Sequence, residues 1–254
     1  MLSLEQLERV DRAAIGVLGH LTGSSRPNAL AVTPYVVDGR LLVTSTLALV
    51  DKAEALRRDP RVTLTAGGIA VSGTASVEVD TTPAFFDRYV RRRELAKYPP
   101  ARSLLSIPGH RRLLPWYVGR VAMWIEPEVV VEQHIDDDTT ITVVDAAGRL
   151  GTTSIARPHD LDADRLDAAG APDGRAVLLV HAEDPAMRQL RQLRRHGQVV
   201  DGVLHVERRT GSLAPRATGT LDELRSLRTL AAAARANRAR LATWPAITHP
   251  RPAV

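Results

Sequence analysis

Between residues 14 and 79 the chain falls into five short apolar runs, each ended by a turn or a breaker. The runs cover 14–22, 29–38, 40–46, 61–68 and 70–79. "GSSRPN" (23–28) separates the first two, Asp38-Gly39 the second and third, and Gly67-Gly68 the last two. Asp-Gly and Gly-Gly pairs supply the positive φ that tight hairpins require, so the strands they join are antiparallel. Parallel strands would need crossovers of a dozen or more residues, which these links are too short to make. A chain patterned this way has few options, and a small antiparallel barrel is the leading one.

The remaining segments fit around that frame. Ser3 and Gln6 form a capping-box pattern, and Leu4, Leu7, Val10 and Ala14 recur at helical spacing, so 3–18 reads as an opening helix. "DKAEALRRD" (51–59) suits a short helix stopped by Pro60. A helix is expected over 83–98 with Pro83 in its first turn, then a Pro-rich basic loop over 99–115. A closing strand over 116–131, single or broken at Glu126-Pro127, would start with Trp116 and Tyr117.

The character changes near residue 133, where "QHIDDDTT" reads as a polar joint. The expected organisation is two domains, 1–132 and 133–254, the second a smaller α+β unit. That unit is expected to hold a hairpin across "AAG", a polar helix over 160–169, a buried strand "GRAVLLVHA" and a basic helix over 184–197. An Asp-Gly hairpin in "QVVDGVLHVE" and a long Ala-rich helix over 220–244 complete it. In the last helix Leu227, Ala231 and Ala234 lie on the apolar stripe, and Arg225, Arg228 and Arg235 face outward. The tail after 244 is Pro-rich and expected to be loosely held.

Composition narrows the chemistry. The chain has no cysteine, which excludes disulfides, thiol nucleophiles and Cys-based zinc sites. No apolar run is long enough to span a bilayer and no secretory leader is visible, so a cytoplasmic protein without a membrane partner is expected. Net charge is +5, but aromatic content is only 4%, which argues against nucleic acid and leaves anionic small molecules as the partners a basic cleft would favour. G-x-G-x-x-G, G-x-x-x-x-G-K-[ST], G-x-S-x-G and H-E-x-x-H are all missing, and the eight histidines are scattered with no metal-ligand spacing. If the chain is an enzyme, a bound cofactor carries the chemistry.

One detail stands out. Of 34 basic residues, only Lys52 and Lys97 are lysines. Lys52 follows the hydroxyl-rich strand end "LLVTST" and opens the short helix that leads into "DPRV". An ammonium beside Thr44 and Ser45 at a helix N-terminus could bind a phosphate. Ordinary strand propensity and a solvated loop charge account for the same residues.

Four ordered segments, "SSRPNALAVTPYVVDGRLLVTST", "KAEALRRDPRV", "VSGTASVEV" and "GRVAMWIEPEVV", carry a family likeness. Residues 4–131 resemble the pyridoxamine 5′-phosphate oxidase-like superfamily of flavin and deazaflavin split β-barrels. The resemblance implies an antiparallel split β-barrel and a homodimer with the cofactor at the subunit interface. It implies FMN or the deazaflavin coenzyme F-420 as cofactor, and hydride transfer with a small organic substrate. A carrier or sensor of flavin or haem is the alternative within the same fold. Matched to this chain, Thr44, Ser45 and Lys52 would hold the phosphate, Thr33 and Pro34 would meet the ring system, and Trp116 would cover a ring or substrate. No catalytic side chain and no metal ligand are implied. Arg111, Arg112 and Arg120 are further candidates for anionic groups. Ala55 stands where the family word often has Asn, and the arginine-containing substrate motif of the vitamin B6 oxidases is missing, which argues against that particular reaction.

Overall fold

The computed structural model describes residues 2–133, 138–183, 189–215 and 220–247, with the backbone alone for 220–224. The capping box forms: the Gln6 amide donates to Ser3 Oγ (3.2 Å), and the Ser3 amide donates to Gln6 Oε1 (2.9 Å). It opens α1 (Leu4–Arg12), which ends earlier than the apolar spacing suggests, because Ala13 is already extended. Next come β1 (Gly16–Leu21), β2 (Pro27–Val32), β3 (Pro34–Val37) and β4 (Arg40–Thr46), then α2 (Asp51–Arg58), β5 (Arg61–Ala66) and β6 (Ile69–Asp80). Asp38 (φ 50°) and Gly39 (φ 75°) make the tight turn between β3 and β4 that their sequence demands.

The expected helix over 83–98 appears as a π-helical turn, Phe86–Val90, running into α3 (Arg91–Lys97). The region read as a loop is built from helical turns instead: α4 (Ala101–Leu105), α5 (His110–Leu113) and α6 (Pro115–Val118). Trp116 and Tyr117 therefore sit in a turn with Pro115 at its start, and β7 (Arg120–Glu132) begins only after Gly119. Pro127 causes no break in β7. A bulge opposite Ser72-Gly73 absorbs the ladder bond that proline cannot make.

These strands form one antiparallel sheet in the order β2-β1-β5-β6-β7-β4-β3. Its two edges, β2 and β3, are adjacent in sequence, with only Thr33 between them. One residue cannot cross an open seven-stranded sheet, because neighbouring strands are about 4.8 Å apart. The sheet must therefore curl until its edges nearly meet, and the result is a split β-barrel. Leu18, Leu41, Val43, Leu56, Leu64 and Met123 belong to the core inside it.

The second half supplies β8 (Thr139–Val144), β9 (Leu150–Ser154), β10 (Arg165–Asp167), β11 (Gly174–Glu183), β12 (Leu190–Val200) and β13 (Val203–Ser212). They form a second antiparallel sheet, β10-β13-β12-β11-β8-β9. Two helix expectations fail here. Part of the polar segment 160–169 is the short strand β10. The basic segment becomes β12 from Leu190 onward, while 184–188 and most of the acidic joint (134–137) lie outside the described residues. In β12, Leu193, Arg195, Gly197 and Val199 are buried in strict alternation, the period of a strand. Arg195 tolerates burial because it donates to the Leu161 carbonyl (2.6 Å) and to Asp162 (2.7 Å). Pairing with β11 and β13 overrides the helical spacing of Leu190 and Leu193.

The second sheet stacks on the barrel through Val17, Ala29 and Ala31 against Val177 and Leu179. Gly19 sets how closely they approach: a Cβ there would lie 2.3 Å from Thr63 Oγ1 and 2.7 Å from a Thr142 methyl. The final helix, α7 (Thr220–Leu241), leaves the second sheet and returns to the barrel. Leu227, Leu230, Ala231 and Ala234 pack on the aromatic cluster around Phe85, Trp116 and Trp124, while Arg225, Arg228 and Arg235 are exposed as their spacing predicts. The tail is pinned at first: the Val79 amide donates to the Pro245 carbonyl (2.8 Å), the Ile247 amide donates to the Val79 carbonyl (3.0 Å), and Ile247 is buried. Residues 248–254 lie outside the described residues. Among the described residues no helix is long and apolar enough to cross a membrane.

Candidate functional site

Strand alternation decides which hydroxyls of β4 can meet Lys52. Leu41 and Val43 point into the barrel core, and Ser45 shares their face. Leu42 belongs to the outer aromatic cluster, so Thr44 lies on that opposite face. Lys52 is the second residue of α2 and reaches back over the strand end. Its Nζ donates to Ser45 Oγ at 2.9 Å, and Ser45 Oγ in turn donates to the Leu49 carbonyl. The structure thus brings Ser45 and Lys52 together and leaves Thr44 on the other side of the sheet.

Lys52 is electrostatically unusual. An ammonium has three donors, and one of them has a protein acceptor among the described residues. No carboxylate pairs with it there. Burial pulls its pKa down to about 8, with Asp51 acting weakly in the opposite direction. The first turn of a helix also disfavours a cation, because the backbone dipole is positive at that end. A bound anion would reverse both penalties. His20, buried on β1, is held below its ordinary value mainly by desolvation, with a further push from Lys52.

The loop from Leu47 to Val50 is held from two sides. The Leu47 amide donates to the Trp116 carbonyl (3.1 Å). From α7, Asn237 Nδ2 donates to the carbonyls of Leu47 (3.0 Å) and Ala48 (3.4 Å), and Arg240 pairs with Glu54 of α2 at 2.6 Å. Trp116 is buried against Tyr117 in a T-shaped contact, with ring centroids 5.7 Å apart. Its backbone orders the Lys52 loop while its ring packs in the core. Thr33 is half-buried at the β2–β3 junction. Pro34 is buried on β3 opposite Val43, and its carbonyl accepts from Lys97.

A second polar cluster escaped the sequence reading. Glu94 of α3 accepts from Arg120 Nη2 at 3.0 and 2.8 Å, from Tyr35 Oη at 3.3 Å, and from Tyr117 Oη. Arg120, a sequence candidate for anionic groups, is 2% exposed and pairs with Glu94 instead. Among the described residues its Nε and Nη1 have no acceptor, and its guanidinium carbon lies over the rings of Phe86 (4.4 Å) and Tyr117 (4.8 Å). Desolvation and the Glu94 charge raise the pKa values of both tyrosines. The available signal was a charged residue opening the apolar run "RVAMWI". Arg111 pairs with Asp87 (2.8 Å), whereas Arg112 is exposed. Among the described residues no group of three or more His, Asp or Glu side chains could hold a metal ion.

No family model and no curated protein matches the chain. Solved structures do. A putative pyridoxamine 5′-phosphate oxidase from Listeria innocua is 24% identical over 50% of this chain and 94% of its own, with a TM-score of 0.37. General stress protein 26 from Bacillus anthracis is 17% identical over 51% of this chain and 95% of its own, with a TM-score of 0.36. An F420 reductase is 18% identical over 50% of this chain and 95% of its own, with a TM-score of 0.38.

Proposed function

We propose that the chain is a flavin- or deazaflavin-dependent oxidoreductase, with FMN as the first choice of cofactor and coenzyme F-420 as the second. The observation that carries this reading is Lys52: a half-buried ammonium at a helix start, positioned by Ser45, with no carboxylate counter-ion among the described residues. Uncompensated charge in that setting is costly, and a phosphate oxygen would offset the cost. The split barrel and the ordered motifs of residues 4–131 support the same reading.

The residues fit the phosphate end of such a cofactor in a specific way. Lys52 would supply the charge-assisted donors. Ser45 would hold the ammonium in place, and Asn237 and the Trp116 carbonyl would keep the intervening loop rigid. Thr33 and Pro34 would line the ring end along β3, with Trp116 packed behind the loop. Bound flavin or deazaflavin supplies the hydride chemistry. The protein's part is to position the ring, to exclude water and, in a homodimer, to close the site from the second subunit.

The test is direct. The purified full chain should carry or take up FMN or F-420, read by its absorption spectrum and by the mass of the released compound. Lys52→Ala should weaken that binding by about tenfold or more, the scale of a lost charge-assisted contact, with an unchanged circular dichroism spectrum. A chain that binds neither compound overturns the proposal. A chain that binds one but passes no electrons from any reductant is a carrier.

A further inference from the structure

The return of α7 to the barrel creates a cavity that the barrel strands alone could not form. It has a volume of about 510 Å³, within the range of small-molecule sites. Leu47 and Trp116 line it from the barrel side, and Ala231, Ala234 and Leu241 from α7. The alanines matter. A helix that packs on an apolar surface normally fills the contact with larger side chains, because close-packed interiors leave few voids. Methyl groups at 231 and 234 leave the space open.

The rim is charged. Arg112 comes from α5, and Arg235 and Arg238 lie one turn apart on α7. Among the described residues no acidic residue lines the cavity, and none of the three arginines has a carboxylate in salt-bridge range. Their neighbours do: Arg111 pairs with Asp87 and Arg240 with Glu54. Three unneutralised guanidinium groups around an apolar cleft concentrate positive potential at its mouth. Planar guanidinium forks suit carboxylate or sulfonate oxygens, while the floor suits a hydrocarbon or aromatic body. A polyanion would need a basic track along the surface, and this site is a single half-open cleft.

We propose that this cavity binds an organic anion with an apolar aromatic or alkyl body, the anionic group held by Arg112, Arg235 and Arg238 and the body seated on Trp116 and the alanine face of α7. The proposal does not depend on the phosphate assignment, since Lys52 and Ser45 do not line the cavity, although Trp116 is shared with the proposed cofactor site.

The experiment is calorimetric titration of the full chain with 1-naphthoate and with its neutral counterpart 1-naphthalenemethanol. Naphthoate should bind at one site and more tightly than the alcohol. The double substitution Arg235→Gln/Arg238→Gln should weaken naphthoate by about tenfold or more, consistent with two lost charge-assisted contacts, and leave the alcohol nearly unaffected. Ala234→Leu should abolish binding of both by filling the cavity, and Lys52→Ala should change neither. Absence of naphthoate binding to the unmodified chain, equal affinity for the two probes, or full binding by a folded Ala234→Leu variant overturns the proposal. If Ala234→Leu does not fold, the arginine pair decides, because both side chains are exposed.

Discussion

The two lysines are a natural pair of opposites. Burial pulls each down to a pKa of about 8, yet their surroundings differ. Lys97 donates to the Pro34 carbonyl, has Asp11 at 3.8 Å and sits 5.1 Å above the Tyr35 ring. Its charge is answered from three directions, and it ties α3 to the start of β3. Among the described residues Lys52 has one protein acceptor, Ser45, and no carboxylate partner. The same contrast extends to their neighbourhoods: beside Lys97, Glu94 gathers Arg120, Tyr35 and Tyr117 into a buried network, whereas beside Lys52 the polar groups order a loop and leave ammonium donors over. A shifted pKa alone does not separate a structural cation from a binding one. Saturation of its donors does.

The largest effect is expected on the saturated side. Glu94→Ala strands the Arg120 guanidinium in the core, and breaking a buried pair this way costs about 3–5 kcal/mol. Urea unfolding measures it. A loss below about 1 kcal/mol would mean that the Phe86 and Tyr117 rings alone sustain the charge, and the contrast between the two sides would weaken.

Next in size is the response to pH. Both lysines have folded-state pKa values below the ordinary 10.5, so above about 8 the folded state releases protons that the unfolded state still holds. Stability therefore rises with pH through that window, by about 3 kcal/mol for the two lysines together up to about pH 9.5. Above about 10 the sign reverses. Tyr35 and Tyr117 have raised values, so the unfolded state ionises first and stability falls. Melting temperatures from pH 7 to 11 should pass through a maximum; a monotonic fall would show that neither ammonium is desolvated.

How much of this was legible in the sequence follows from the range of each interaction. The strands up to residue 80 announced themselves through turn dipeptides and short apolar runs, which act locally, except that the single run 29–38 is two strands, β2 and β3, parted at Thr33 and placed on opposite edges of the sheet. β12 did not, because Leu190 and Leu193 fit a helix until pairing with β11 and β13 is known. The helical turns between 99 and 118 hid behind four prolines and a run of basic residues. Lys52 stood out by rarity and by the hydroxyls next to it. Lys97 was just as rare, but its acceptor is the carbonyl of Pro34, 63 residues away, and nothing near Lys97 in the chain points there. Glu94 and Arg120 met the same obstacle. Asn237 and Arg240, which anchor α7 over the Lys52 loop, lie where the family resemblance no longer reaches.

The smallest effects separate the lysines most cleanly. Lys97→Met removes the donor from the Pro34 carbonyl and leaves Asp11 without its nearby ammonium, and an orphaned buried acceptor costs about 1–3 kcal/mol. Lys52→Met removes an ammonium that lacks a carboxylate partner and replaces it with an unbranched apolar chain of similar length. Ser45 keeps its bond to the Leu49 carbonyl, so no protein acceptor is stranded. Exchanging a poorly compensated buried charge for a hydrophobe is neutral or favourable, and a gain of up to about 1 kcal/mol is expected in cofactor-free protein. The two variants should thus move stability in opposite directions, and only Lys52→Met should clearly reduce the stabilisation that added FMN confers on the unmodified chain. Equal losses from both would show that Lys52, like Lys97, serves the fold alone.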